Sequence, residues 1–207
     1  MNNFNGLSKI KINRHPINLI GNLQIPENAV FTFSDYLYDK KSFRDIRSSF
    51  NLPKKELNEN WFINHIFSMD PLYELALHSS FEIDGEIFHI PMIDFTAKRS
   101  EQSSLSALKK LSDFWETDFL IFFSGRSFHA YGVKPITDIE WVKFMGSLLL
   151  LNVRGTTNKL IDTRWVGHRI LAGYSALRWS KNTSHYKAFP AFLGYLSELK
   201  ELNYQLE

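Results

Sequence analysis

The chain contains no cysteine. That excludes a disulfide framework, a zinc–thiolate centre and a cysteine nucleophile, and it fits a reducing compartment. Long apolar runs are also missing. The longest, "GSLLLLNV", is far too short to span a bilayer. The opening "MNNFNGLSKIKINRHP" lacks the apolar centre of a signal peptide. The expectation is a soluble, cytoplasmic protein without a membrane partner. Excess charge of one sign is scarce too, since the formal net charge is +2. Its distribution is uneven, however. Residues 119–190 carry 10 Lys and Arg against 3 Asp and Glu. Such a basic segment suits an anionic partner such as a nucleotide or nucleic acid, or it is simply a solvated face.

What is present is an ordinary globular balance, with 44% hydrophobic and 22% charged residues, and an unusual wealth of phenylalanine, 18 in 207 residues. The length suits one domain over residues 1–207, divided into an N-terminal arm and helical module (1–80) and a core (81–190). Residues 1–30 read as an extended arm or edge strand. "TFSDYLYDKKSFRDIRSSFNLP" reads as helical, capped by Ser34 and ended by Pro53, and "NENWFINHIFSMDPLYELALHSS" as a second helical stretch interrupted near Pro71.

Asp84-Gly85 between apolar arms predicts a hairpin, and "IPMIDF" an apolar strand bearing one acid, Asp94. Leu105, Leu108, Leu111 and Trp115 make one stripe of a helix over residues 103–115. "DFLIFFSG" and "SFHAYGV" read as strands around a glycine turn. A helix over 138–151, capped by Asp138, a strand at "YSALRWS" and a last helix near 190–203 complete a mixed α/β or α+β pattern.

Three segments carry chemistry. In "FFSGRSFHAYG", Gly125 permits a tight turn, and Ser127 and His129 at i and i+2 on a strand share a face, with the Arg126 guanidinium beside them. A hydroxyl, an imidazole and a guanidinium there can cradle phosphates; a hairpin holding a core histidine is the plainer alternative. Asp94 and Asp162 each end a short apolar run and could bind one Mg²⁺ or Mn²⁺ together, although Asp162 could equally cap a helix starting at "TRWVGHRI". Arg178, in "SALRWS", alternates with Leu177 and needs an anionic partner if buried, which could be Asp94, Asp162 or a bound phosphate, or it forms a structural salt bridge; Arg164, His168 and Arg169 lie nearby in sequence. The remaining histidines, His15, His65, His78, His89 and His185, match no ligand spacing. Ser-His-Asp hydrolysis has little support, because no G-x-S-x-G elbow is present.

In their order, "MIDFT", "SGRSFH", "LIDTR" and "ALRWSKNT" resemble the archaeo-eukaryotic primase superfamily of primase small subunits and primase-polymerases, over about residues 80–185. The resemblance implies a primase-polymerase-like catalytic core of two α/β modules, one with an RRM-like sheet, and a site in the cleft between them. It implies Asp94, His129 and Asp162 as catalytic residues. Asp94 and Asp162 would be metal ligands for Mg²⁺ or Mn²⁺, and Arg126, Ser127, His129 and Arg178 would contact nucleotide. The implied partners are nucleoside triphosphates and a DNA or RNA template or primer, with a protein partner left open. The implied activity is synthesis or extension of short primers; the alternative is a primase fold that binds nucleotide or nucleic acid without turnover. The family's first motif usually has two acids at i and i+2, whereas this chain has Asp94 and then Thr96. That makes one metal ion easier to hold than two.

Overall fold

The computed structural model describes residues 12–21, 23–37, 46–97, 102–152 and 159–202. Residues 1–11 of the expected arm, residues 38–45 of the first expected helix and residue 203 of the last lie outside the described residues. Among the described residues, ten strands and five α-helices build two antiparallel sheets with helices packed against them. The fold is therefore the mixed α/β, α+β class that the alternation predicts.

The first sheet has six strands. β1 (Val30–Leu37), β2 (Ile46–Pro53), β3 (Glu74–Ile83), β4 (Glu86–His89) and β8 (Ile136–Thr137) run in the order β2-β1-β3-β4-β8, and β9 (Ala176–Arg178) also pairs with β3. Residues 30–37 and 46–53 thus supply a pair of strands where a helix was expected. Phe31 and Phe33 are buried and Tyr36 nearly so, with polar Thr32 and Asp35 between them, so β-favouring residues outweigh the Ser34 cap signal. The expected hairpin at Asp84-Gly85 is present, with positive φ at both residues (52° and 85°) joining β3 to β4. β3 changes partners midway. Residues 76–78 pair with β9 and residues 80–83 with β4, and between them Ser79 donates its amide to Ser175 and accepts from the amide of Ile90.

The second sheet has the order β10-β6-β7-β5, built from β5 (Met92–Asp94), β6 (Phe119–Phe123), β7 (Phe128–Gly132) and β10 (Ala191–Tyr195). α3 (Gln102–Phe114) crosses from β5 to β6, and β7 lies between those two strands, a split β-α-β arrangement. The expected last helix near 190–203 is in its place strand β10, whose Ala191, Phe192, Gly194 and Tyr195 register against Phe123, Phe122, Ile121 and Leu120.

Alternation along β6 and β7 divides the interior in two. Leu120, Phe122 and Tyr131 face the first sheet and pack with Phe31, Phe33, Leu75, Leu77 and Trp179. Short α1 (Pro16–Ile20) and α2 (Glu59–Ser68) cover that core with Ile17, Ile20 and Phe62. Ile121, Phe128 and Ala130 face the other way, onto Leu105, Leu108 and Leu111 of α3 and Phe144 and Leu148 of α4 (Asp138–Leu149). The cap of α4 is Thr137, one residue before the expected Asp138, in a reciprocal capping box with Glu140. α5 (Thr163–Ala172) ends at Gly173, whose φ of 80° is the left-handed turn favoured after a helix. No helix of the described residues is long and apolar enough to cross a membrane.

Candidate functional site

Strand pairing brings the first two motif segments together. Asp94 registers directly opposite His129, and β7 joins β5 to β6. The third segment follows through Phe95, which bridges Ile161, and through the amide of Asp162, which donates to the carbonyl of Asp94 at 3.1 Å. β9 brings Arg178 to the same junction. Its guanidinium donates to the carbonyls of Ser124 and Ser180 and lies 4.0 Å from the ring centroid of Tyr186. The fixed donors of Arg178 are thus met by backbone oxygens and an aromatic face, where a carboxylate or phosphate partner was expected. Its Nε is buried without a hydrogen-bond partner among the described residues.

The Ser124–Ser127 turn is tightly built. Ser124 donates its amide to the carbonyl of Ser127, and the two hydroxyls sit 3.2 Å apart. Gly125 has φ of 97°, and a Cβ there would stand 3.0 Å from the amide nitrogen of Ala188. Glycine is required twice over, by conformation and by the neighbouring loop. Arg126 is exposed and donates to the carbonyl of His185 at 2.6 Å, so it ties this turn to the 180–188 loop. Ser127 precedes β7, which begins at Phe128, so it belongs to the turn and not to the strand.

Electrostatics set these groups apart from their surroundings. Burial, and next the neighbouring charge of Asp162, push the Asp94 carboxyl up from 3.8 to about 8, although Arg178 and Arg169 oppose the rise. A quarter of the Asp94 side chain remains accessible (25%), so a ligand can still reach it. Burial, and next the charge of Arg178, hold His129 well below the ordinary imidazole range, so the ring is neutral. Its Nε2 lies 3.7 Å from Asp94 Oδ1, too far for a hydrogen bond, and its buried Nδ1 has no partner among the described residues.

Asp162 has two tasks. Its side chain accepts the amides of Arg164 and Trp165 as the N-cap of α5, so the capping alternative is realised, while its charge still reaches Asp94. Asp94 and Asp162 are near enough for their charges to interact, and both are half-buried; carboxylates are the ligands a hard cation takes alongside water or phosphate. No cluster of three or more His, Cys, Asp or Glu suited to a metal occurs among the described residues. Asp94 and Asp162 are therefore the residues that would hold a divalent cation, with water or a ligand supplying its other donors.

Other candidates resolve as structural. His15 caps α1, accepts the amide of Ile17 on Nδ1 and donates from Nε2 to the carbonyl of Trp179; burial lowers it to about 3. His89 connects Ser79 and Asp138 in an Asp–His–Ser chain, yet Ser79 is fully buried and its hydroxyl already accepts the Ser175 amide. No substrate can reach it.

Two participants escaped the sequence reading. Tyr186 lies in a loop without periodicity, so nothing marked it. Glu74 was legible in principle, as a lone acid inside "PLYELALHSS". Its buried carboxylate accepts from the Ser180 hydroxyl, the amides of Asn182 and Thr183 and the Thr183 hydroxyl, and so fixes the loop that carries Tyr186.

A family model described as archaeo-eukaryotic primase 1D-like matches residues 53–191. The chain belongs to this family. The match takes in Asp94, the Ser124–His129 turn and strand, Asp162 and Arg178. Archaeo-eukaryotic primases generally use divalent metals and bind nucleotides and nucleic acids. Comparisons with curated proteins and with solved structures give no match.

Proposed function

We infer that this primase-family chain is a nucleotidyltransferase that joins nucleotides from NTP or dNTP at the junction of its two sheets. The observation that supports this best is convergence. Asp94, His129, Asp162 and Arg178 come from four separate elements and meet at one partly open place.

In this reading the Ser124–Ser127 turn, Arg126 and Arg178 bind the triphosphate. Arg178 is buried and held between two carbonyls and a tyrosine ring, so in this reading it acts as a fixed positive charge beneath the site. Neutral His129 offers the unpartnered Nδ1 for a hydrogen bond to a phosphate oxygen, and neutrality keeps it from pairing with Asp94. Asp94 and Asp162 hold the divalent cation, which when bound offsets charge on the phosphate oxygens. A 3′-hydroxyl then attacks the α-phosphorus, its proton passes to solvent, the bond to pyrophosphate breaks and pyrophosphate leaves, while fixed donors stabilise the developing charge.

The test is a primer-extension and de novo synthesis assay with labelled NTP or dNTP and either Mg²⁺ or Mn²⁺. Incorporation is expected from the wild type and is lost in Asp94→Ala. Full activity in that variant refutes the assignment. Nucleotide binding that persists with no incorporation under any metal identifies a binding protein on the same scaffold.

A further inference from the structure

α4 has three faces. Trp141, Phe144, Met145 and Leu148 are buried against the second sheet. Glu140, Lys143 and Ser147, at i, i+3 and i+7, form a polar flank. Ile139, Val142, Gly146 and Leu149, at i, i+3, i+7 and i+10, form a third stripe that is apolar and exposed, and Leu150 continues it past the helix end. A helix that met only water on this side would carry polar residues there.

α5 repeats the pattern. Val166 and Arg169 point inward, while Gly167, Ile170 and Leu171 are exposed. The two helices pack side by side and antiparallel. Asn152, just past α4, bonds to Leu160 and Ile161, just before α5, and Trp141, early in α4, donates to the Ser175 hydroxyl, just past α5. Ser175 in turn donates to Met145, which borders the Val142–Leu149 side of α4, so the two apolar stripes adjoin. Ile139, Val142, Leu149, Leu150, Ile170 and Leu171 together expose roughly 700 Å²; the largest patch on a typical monomer is about 300–600 Å², and each partner gives a standard interface ~800 Å².

The glycines point the same way. Gly146 and Gly167 sit inside helices, where glycine is less stable than alanine. Neither has a positive φ, and among the described residues nothing stands within 4 Å of a Cβ built on either. The protomer itself gives no reason for the missing side chains. Close approach of a second surface gives one.

Charge indicates which surface that is. Asp138 and Glu140 mark the start of α4, and Arg164 and His168 the start of α5. Asp138 also holds His89, and Glu140 the Thr137 cap, yet both acids remain exposed. Antiparallel packing sets the acidic and basic ends at diagonally opposite corners of the patch. A second copy of this chain, turned about a two-fold axis in the plane of the patch, lays each acidic corner on a basic one.

We propose that the α4–α5 patch is the interface of a two-fold symmetric dimer of this chain. α5 turns Arg169 inward, where its charge reaches Asp94, and Leu171 outward, so the dimer leaves the Asp94 junction open. The interface stands whether or not that junction transfers nucleotides.

The test is sedimentation equilibrium of the full chain between about 1 and 100 µM, where mass action drives a dimer apart on dilution. A dimer is expected at the upper end. Leu171→Lys places a cation at the C-terminal end of a helix, which suits it, and Gly146→Gln improves helix propensity. Each is expected to weaken the dimer about tenfold or more, with the melting temperature of the dilute protein unchanged or higher. Leu72→Lys, at an exposed apolar position beside the first sheet, leaves the dimer intact. A monomer throughout, a dimer that both patch variants leave unchanged, or one that Leu72→Lys weakens equally overturns the proposal. Maleimide labelling of Leu171→Cys, the single thiol in an otherwise cysteine-free chain, identifies the occupant. Protection that is lost on dilution supports a second copy. Protection that persists on dilution means that another segment of the same chain covers the patch, and it overturns the proposal, as does no protection at any concentration.

Discussion

Replacing Asp94 by Asn tests the electrostatics of the junction with the protein alone. The carboxyl titrates near pH 8 in the folded chain and near 3.8 when unfolded. Between these values the folded chain holds a proton that the unfolded chain has released, so stability falls as pH rises, by about 1.4 kcal/mol per pH unit. His129, His15 and His89 act oppositely. Burial lowers all three from 6.5, so below that pH the unfolded chain takes up protons that the folded chain refuses, and stability falls as pH drops. The two trends oppose each other below pH 6.5; from there to pH 8 the Asp94 decline stands alone among these groups. Over that window the wild type loses about 2 kcal/mol, or about 4–8 °C in melting temperature for a domain of this size. Asp94→Asn cannot ionise, and its curve stays flat there. Differential scanning fluorimetry in metal-free buffers of matched ionic strength reads both. Added Mg²⁺ competes with the proton, so its stabilising increment grows across the same window in the wild type and is absent from the variant. A flat wild-type profile, or the same decline in both proteins, refutes the idea that a buried carboxyl beside Asp162 is held neutral.

Two further outcomes follow from the turn and the loop. Gly125→Ala forces a side chain into a conformation with φ of 97° and against the Ala188 backbone, and should cost about 1–2 kcal/mol in chemical denaturation while weakening nucleotide binding. Glu74→Gln removes a charged acceptor that serves four donors of Ser180, Asn182 and Thr183; it should cost about 2–3 kcal/mol and speed hydrogen exchange in 180–183, with β6 and β7 unaffected.

The sequence was most readable where a local rule ruled alone. Asp84-Gly85 announced its hairpin, and the Leu105–Leu111 stripe announced α3. The failures have a common cause. Residues 30–53 carried a plausible cap and a proline stop, but Phe31 and Phe33 alternate with polar Thr32, and pairing with β3, distant in sequence, settles their conformation. Residues 191–195 likewise become a strand because the edge of β6 is free to take one. At the junction, Asp94, His129, Asp162 and Arg178 were marked by being polar within apolar runs. The partners of Arg178 were not, since two are main-chain carbonyls, which no side-chain pattern reports.

The change of partners along β3 at Ser79 bears on how the molecule opens. That strand is flanked by β1, β4 and β9, so its central amides should exchange with solvent last of all. Arg178 is anchored to this slowest-opening stretch, whereas Tyr186 and the backbone that covers the glycine turn belong to an outer segment held by side chains, Glu74, Arg126 and Tyr36 among them. The two halves of the junction should therefore differ in hydrogen-exchange protection, with the Arg178 strand the slower of the two.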